Sequence, residues 1–407
     1  MTSRLLRVAA ALPLLGAALL SACADNAPTS PAAPPPTGVQ LTVIPTTAFT
    51  TVDGGQTHSC ALTSAGQAWC WGRNAVGQLG DSSAATTAVP VQVLQQSGVT
   101  FTRVSAGQEH NCAITSAGQA WCWGYNADYR LGDSTTNLGL APVAVKPLGG
   151  VAFASISAGS GHTCGLDANG QGYCWGSNAY GQLGINSTAH QKTPVAVQHP
   201  SGVTFASIVA SERHTCALDT TGQAWCWGYG SEGALGGGFS FGDSIPVQVT
   251  HPSGVTFTSI STQYRHVCAL DTTGQAWCWG KNPNGQLGDN TLTTRYTPVA
   301  VQQPVGVTFA SLEVGWSQSC GVTSGGQSYC WGQGNRGQVG DGTFAQRKVP
   351  VAVSQPSGVS LGIVNPGGYH TCGVDGVGQT WCWGRNDYSQ LGNNSTTDSG
   401  TPVAVSH

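Results

Sequence analysis

Short apolar runs return in one order along almost the whole chain. In residues 49–93, "FTTV", "HSCAL", "AWCWG" and "PVQV" are separated by "DGGQT", by "TSAGQ" and by a longer polar stretch. Four brief runs broken by turn residues predict four β-strands. The set then repeats. The first cysteine of each copy falls at Cys60, Cys112, Cys164, Cys216, Cys268, Cys320 and Cys372, a constant step of 52 residues. A step this regular predicts one repeat architecture, not several independent domains.

Within each copy, alternation along the third run puts Ala68, Cys70 and Gly72 on one face of the strand and Trp69 and Trp71 on the other. Neither face is polar, so both need cover. Sheets stacked around an axis provide it, the Trp face of one filling the small-residue face of the next. The fold class is therefore all-β, a seven-bladed β-propeller of 52-residue, four-stranded repeats. A proline opens each fourth run, from Pro90 to Pro402, and proline belongs on an edge strand. "PVxV" is thus outermost and "FxxV" innermost. Residues 39–43, "VQLTV", compete with Pro402–Val405 for the strand that closes the ring.

The link "TSAGQ" suits a hairpin whose three-residue loop ends on Gly66 in the left-handed conformation. Cys60 then faces Cys70 directly, close enough for a disulfide. The same register pairs Cys112–Cys122, Cys164–Cys174, Cys216–Cys226, Cys268–Cys278, Cys320–Cys330 and Cys372–Cys382. Each staple contributes about 2–3 kcal/mol. Free thiols and zinc ligation fit the nine-residue spacing less well. A Gln follows the loop glycine in every copy, and a side-chain bond to a neighbouring loop is the simplest role for it.

Of 15 cysteines only Cys23 is left unpaired. It ends "MTSRLLRVAAALPLLGAALLSAC", in which Arg4 and Arg7 precede an apolar run too short to span a membrane. Leu20-Ser21-Ala22-Cys23 looks like a bacterial lipobox, the cysteine being acylated as the mature N-terminus. An ordinary signal peptide cut nearby is the alternative. The expected layout is a lipoprotein signal peptide at 1–22, a lipid-anchored Pro/Ala/Thr-rich linker at 23–38 and the propeller at 39–407. The protein is expected to be exported and membrane-anchored, periplasmic or on the cell surface, with the lipid its only membrane contact. Export also supplies the oxidising compartment that disulfides require. Without Arg4 and Arg7, 13 basic residues face 18 acidic ones, a net of −5 that argues against nucleic acid as a partner.

The phrase "GQxHxCALTxxGQAWCWGxNxxGQLGD" resembles the repeat of the regulator of chromosome condensation family. The likeness is strongest to its exported, disulfide-bearing bacterial branch, and it covers residues 39–407. The resemblance implies a seven-bladed propeller, in a superfamily shared with a propeller-type β-lactamase inhibitor. It says little about activity, because one fold serves many partners. The Ran-type exchange factor of the family uses an inserted wedge and a basic tail. Neither exists here, and guanine-nucleotide exchange is not expected. The family's plant ultraviolet-B photoreceptor relies on Gly-Trp-Arg-His-Thr segments, whereas Gly315-Trp316-Ser317-Gln318-Ser319 lacks the Arg and the His.

Three sets of residues are candidates for chemistry. His58, His110, His162, His214, His266 and His370 share one slot, with Gln318 in the seventh. That Gln favours hydrogen bonding over metal binding or pH sensing as the role of the slot. Asp81, Asp133, Asp289 and Asp341, with Asn393 in the last copy, sit beside Ser, Thr or Asn as an Asx-turn requires. The third set lies where the copies differ. Second and fourth links barely vary, whereas first and third links, which share the opposite face of the disc, vary strongly. Variable loops on a rigid scaffold are where function usually sits. On that face Tyr264, Trp316 and Tyr369 stand at equivalent first-link slots of adjacent blades. Third links add Tyr296, Phe344 and Tyr388, with Arg265 and Arg295 nearby, the residue types that anchor binding sites.

No nucleophile elbow, phosphate loop or zinc helix is present. No catalytic residue, metal site or cofactor is assigned. The expected function is a monomeric binding scaffold for a protein or glycan, not an enzyme. The alternative is an extracellular propeller lyase or hydrolase, which a central pocket of clustered acids and bases would favour.

Overall fold

The structure, a computed structural model, describes residues 48–146 and 148–406. The segments expected to be signal peptide and linker, with Cys23, and residues 39–43 lie outside them. Among the described residues, twenty-eight strands form seven four-stranded antiparallel sheets, each built from four consecutive strands, and the single helical element is the 3₁₀ turn Leu148–Gly150. This is the seven-bladed propeller.

Blade 1 sets the pattern. Strand β1 (Phe49–Gly54) pairs with β2 (His58–Thr63), β2 with β3 (Ala68–Gly72), and β3 with the edge strand β4 (Thr87–Gln92). Cys60 lies opposite Cys70 with Cα atoms 4.1 Å apart, and the disulfide is formed here and in the six other blades. The turn behaves as its spacing requires. The Thr63 amide donates to the Gln67 carbonyl, and Gly66 has φ 75°.

One expectation needs correction. Pro90 does not open its strand but is the fourth of six residues, at the point where the pairing jumps from Cys70–Val91 to Gly72–Thr87. An edge strand tolerates proline at such a bulge because no ladder bond is demanded there. The recurring Gln does bond to a neighbouring loop, the one that follows the fourth strand of its own blade. In the last five copies, as with Gln223 to the Val249 carbonyl, it bridges the hairpin to the residue just after the fourth strand.

The seams between blades hold most of the core. Trp123 of blade 2 is fully buried against Cys60, Leu62, Ala68 and Cys70 of blade 1, and its indole N–H donates to the Gln78 carbonyl of that blade. The same clasp closes the ring, Trp71 packing on Cys372 and Cys382 of blade 7 and donating to the Gln390 carbonyl at 2.9 Å. Blade 7 completes itself with Ser399–Ala404, so Pro402 belongs to its outermost strand. The innermost strands face one another across the axis. Val52, Ile260 and Leu312 of these strands are buried in the seams, while the residue after each, Asp53, Ser261 and Glu313, lines a central channel.

Candidate functional site

The six histidines are seam residues. Each is buried, and its Nε2 meets a polar side chain of the next blade: Asn111, Thr163, Thr215, Thr262, Ser319 and, across the ring closure, Ser59, all at 2.7–2.9 Å. Those partners spend their own donors on backbone carbonyls, as Thr163 does on Arg130 and Ser59 on Gln390. The imidazole must therefore donate through Nε2–H, which leaves Nδ1 unprotonated. Burial lowers every one of these pKa values, His58 to about 4 and His162, His214, His266 and His370 to about 3. Gln318 does the same work, its side-chain amide reaching the Gly367 and His370 carbonyls of blade 7.

The aspartates of the third links are occupied locally. Asp81 accepts from the backbone and hydroxyl of Ser83 and from Asn74, and Asp133, Asp289 and Asp341 bind Thr135, Thr291 and Thr343 in the same way. Arg295 and Arg347 complete two of these turns. Arg295 is thereby drawn into the Asp289 turn. Asn393 takes the aspartate's place beside Asn386.

The variable face contains a continuous array of rings and cations. Tyr264 and Trp316 stack with centroids 5.1 Å apart and planes 17° apart, and Tyr369 meets Trp316 edge-on at 5.7 Å. Trp316 and Tyr264 occupy the same slot of their first links. Tyr369 is one position later, because Gly368 fills that slot in blade 7. Arg265 lies over Tyr264 at 4.9 Å and over Tyr229 at 5.8 Å. Arg213 extends the series to Tyr180. On the other side Arg385 bridges Tyr369 and Tyr388, and Arg73 also covers Tyr388. Arg265 is held by Glu212 at 2.8 Å and Glu232 at 2.9 Å. Burial works against its charge, but the two carboxylates outweigh that and hold the guanidinium above its usual range.

Of the seven residues expected to bind, Tyr264, Arg265, Trp316, Tyr369 and Tyr388 are thus brought together. Tyr296 and Phe344 are not. They lie on the rim, 40% and 55% exposed, where third links meet neighbouring fourth strands, and no ring or cation contact joins them to the array among the described residues. The reading missed Tyr180, Arg213, Tyr229 and Arg385. A signal existed: the residue after each "WCWG" or "YCWG" runs Arg73, Tyr125, Ser177, Tyr229, Lys281, Gln333, Arg385, a mixture of cations and rings visible once the copies are aligned.

The axis holds a second feature. A channel cavity of about 720 Å³ is lined by all seven innermost strands. Equivalent positions there read Asp53, Ser105, Ser157, Val209, Ser261, Glu313 and Asn365. Asp53 accepts from the Ala106 amide at 2.9 Å, and Glu313 from the Ser261 hydroxyl at 2.6 Å. Burial pushes Asp53 up to about 7, with the Glu313 charge adding to it against the Ala106 bond. Burial likewise raises Glu313 to about 6, against the Ser261 bond.

The RCC1-like domain matches residues 136–407, and RCC1 repeats match 65–114, 49–78 and 101–130. The chain belongs to the RCC1-like family. It is 29% identical to the Arabidopsis thaliana ultraviolet-B receptor UVR8 over 355 residues, which is 87% of this chain and 81% of that protein. Human WBSCR16 superposes with a TM-score of 0.76 at 19% identity, covering 84% of this chain and 94% of that one. Prp20p of Saccharomyces cerevisiae, described with its binding to Gsp1p and histones, gives 0.68 at 23%, covering 78% and 80%. These two structures bear on fold alone.

Proposed function

We propose that the protein is a lipid-anchored, extracytoplasmic scaffold whose variable face binds another protein. The observation that supports this is the array itself. A glycan platform needs an open ring face, whereas Tyr264 is stacked with Trp316 and packed by Arg265. What remains is a preorganised surface of ring edges and paired charges, which loses little side-chain entropy on docking and suits a protein partner.

The anchor follows from the lipobox, and the seven disulfides fit an oxidising compartment. The enzyme alternative has part of its requirement in the axial carboxylates, but no histidine or lysine lines the same channel.

The test is affinity capture from an envelope extract with the full-length protein. Trp316→Ala should weaken retention of the captured protein about thirtyfold, the loss of a true anchor. Val377→Ser on the second-link face should change nothing. Equal retention by both variants abandons the face. In fractionation, Cys23→Ser should release the protein from membranes, and unchanged partitioning discards the anchor.

A further inference from the structure

The channel chemistry is not explained by the propeller's own packing. At the level of Asp53, four of the seven equivalent positions are Ser or Val, which suffice to line the strand and, for Ser105 and Ser157, to cap the next blade's amide. Blades 6, 7 and 1 instead place Glu313, Asn365 and Asp53 side by side. No basic side chain shares their level. Two neighbouring carboxylates held away from bulk water repel each other and oppose folding, so packing alone gives no reason to keep both.

A separate departure from the repeat points into the same space. Five of the other six copies have Gly one residue after the innermost-strand end, and the sixth has Ser211. Blade 5 has Gln263. Its side-chain amide crosses the channel to donate to the Gly54 carbonyl of blade 1, 209 residues away, at 3.0 Å. Its Oε1 atom is buried and accepts no hydrogen bond, and Gln263 is one of the residues that line the channel. Asp53 and Glu313 each accept a hydrogen bond from the protein, but among the described residues no cation pairs with either, and the Gln263 Oε1 accepts nothing. Two residues before the acid level, towards the second-link mouth, Arg103 also lines the cavity and has no ion-pair partner among the described residues.

We propose that the axial channel binds a small organic molecule carrying an ammonium group, received by Asp53, Glu313 and the Gln263 carbonyl oxygen. The three N–H bonds of an ammonium supply what these acceptors lack, together with the countercharge. Arg103 favours a ligand with an anionic group at its far end, so an amino-acid-like zwitterion fits better than a plain amine. The cavity volume is that of a small-molecule site, and among the described residues no three His, Cys, Asp or Glu side chains converge to hold a metal ion. The site uses other residues than the ring array, although Gln263 adjoins Tyr264 in the first link of blade 5.

Isothermal titration of the full-length protein with lysine and with putrescine tests the assignment. Lysine should bind saturably and more tightly than putrescine. The double variant Asp53→Asn with Glu313→Gln should weaken it about ten- to a hundredfold, the loss of charge-assisted bonds. That variant removes two unpaired buried charges and should fold at least as stably, which a thermal melt verifies. Gln263→Gly, the residue of five sister copies, is a second probe and should weaken binding severalfold. Trp316→Ala should leave lysine binding unchanged. The proposal is overturned if neither compound binds at about 10 mM. It is equally overturned if binding survives the double variant, or if calcium binds and is lost in that variant while both amines stay silent.

Discussion

The seams between blades and the variable face with its axial channel are built from the same 52-residue unit, yet they treat the repeat in opposite ways. At the seams it is kept: Trp, Cys, His and a hydroxyl or amide recur, and even the closing seam between blades 7 and 1 reproduces the clasp of the others. On the face and along the axis it is broken, copy by copy, by Tyr264, Trp316, Tyr369, Gln263, Glu313 and Asp53. Seams are buried on both sides, so a change there costs packing. The face and the channel wall pack against nothing that demands one residue, and departures there are free to serve a ligand.

The most severe way to attack the seams is acid. Six buried histidines have folded pKa values below the ordinary 6.5. The unfolded chain therefore binds more protons. Stability is fully present above pH 6.5 and is lost as pH falls toward 3–4, at about 1.4 kcal/mol per pH unit for each group. Asp53 and Glu313 have raised pKa values, so they regain stability over part of the same range, but two groups oppose six. Denaturant melts should show a steep fall between pH 6.5 and 4.5. A flat profile would mean that the imidazoles are not held neutral.

Two tryptophans sharpen the contrast. Trp71→Ala empties the closing seam and should cost about 3–5 kcal/mol in equilibrium unfolding. Trp316→Ala removes a partly exposed ring with two stacking partners and should cost about 1 kcal/mol. Equal costs would erase the distinction between a packing ring and a binding ring.

The smallest expected effect concerns the one seam that departs. Gln318→His should be accepted within about 1 kcal/mol, because Thr371 stands where Thr163 and Thr215 receive their imidazoles and already donates to the Gln338 carbonyl. The variant should also steepen the acid transition, since it adds a seventh buried imidazole. A large loss of stability would show that the blade 6–7 seam requires the amide.

The sequence by itself determined the strand count, the blade number, the hairpin register of the cysteines and the face on which variation gathers. All of these follow from local rules: alternation with period two, turn chemistry, and a repeat that applies the same rules seven times. Asp53 and Glu313 were legible only as letters, since they lie 260 positions apart and nothing local marks them as sharing an axis. Only closure of the ring brings blade 6 within reach of blade 1, and lets Gln263 cross from blade 5. The aromatic array was half legible. Residues of the first links could be compared by slot, but Tyr229, Arg213 and Arg385 join it through contacts between first and third links, within blades 4 and 7 and, for Arg265 over Tyr229, between blades. Tyr296 and Phe344 show the converse, aromatic residues kept out of the array because one lies in a blade's outermost strand and the other packs beside one. The tertiary structure alone decided which of these departures meet, because a repeat fixes what each blade looks like and the closed ring fixes which blades are neighbours.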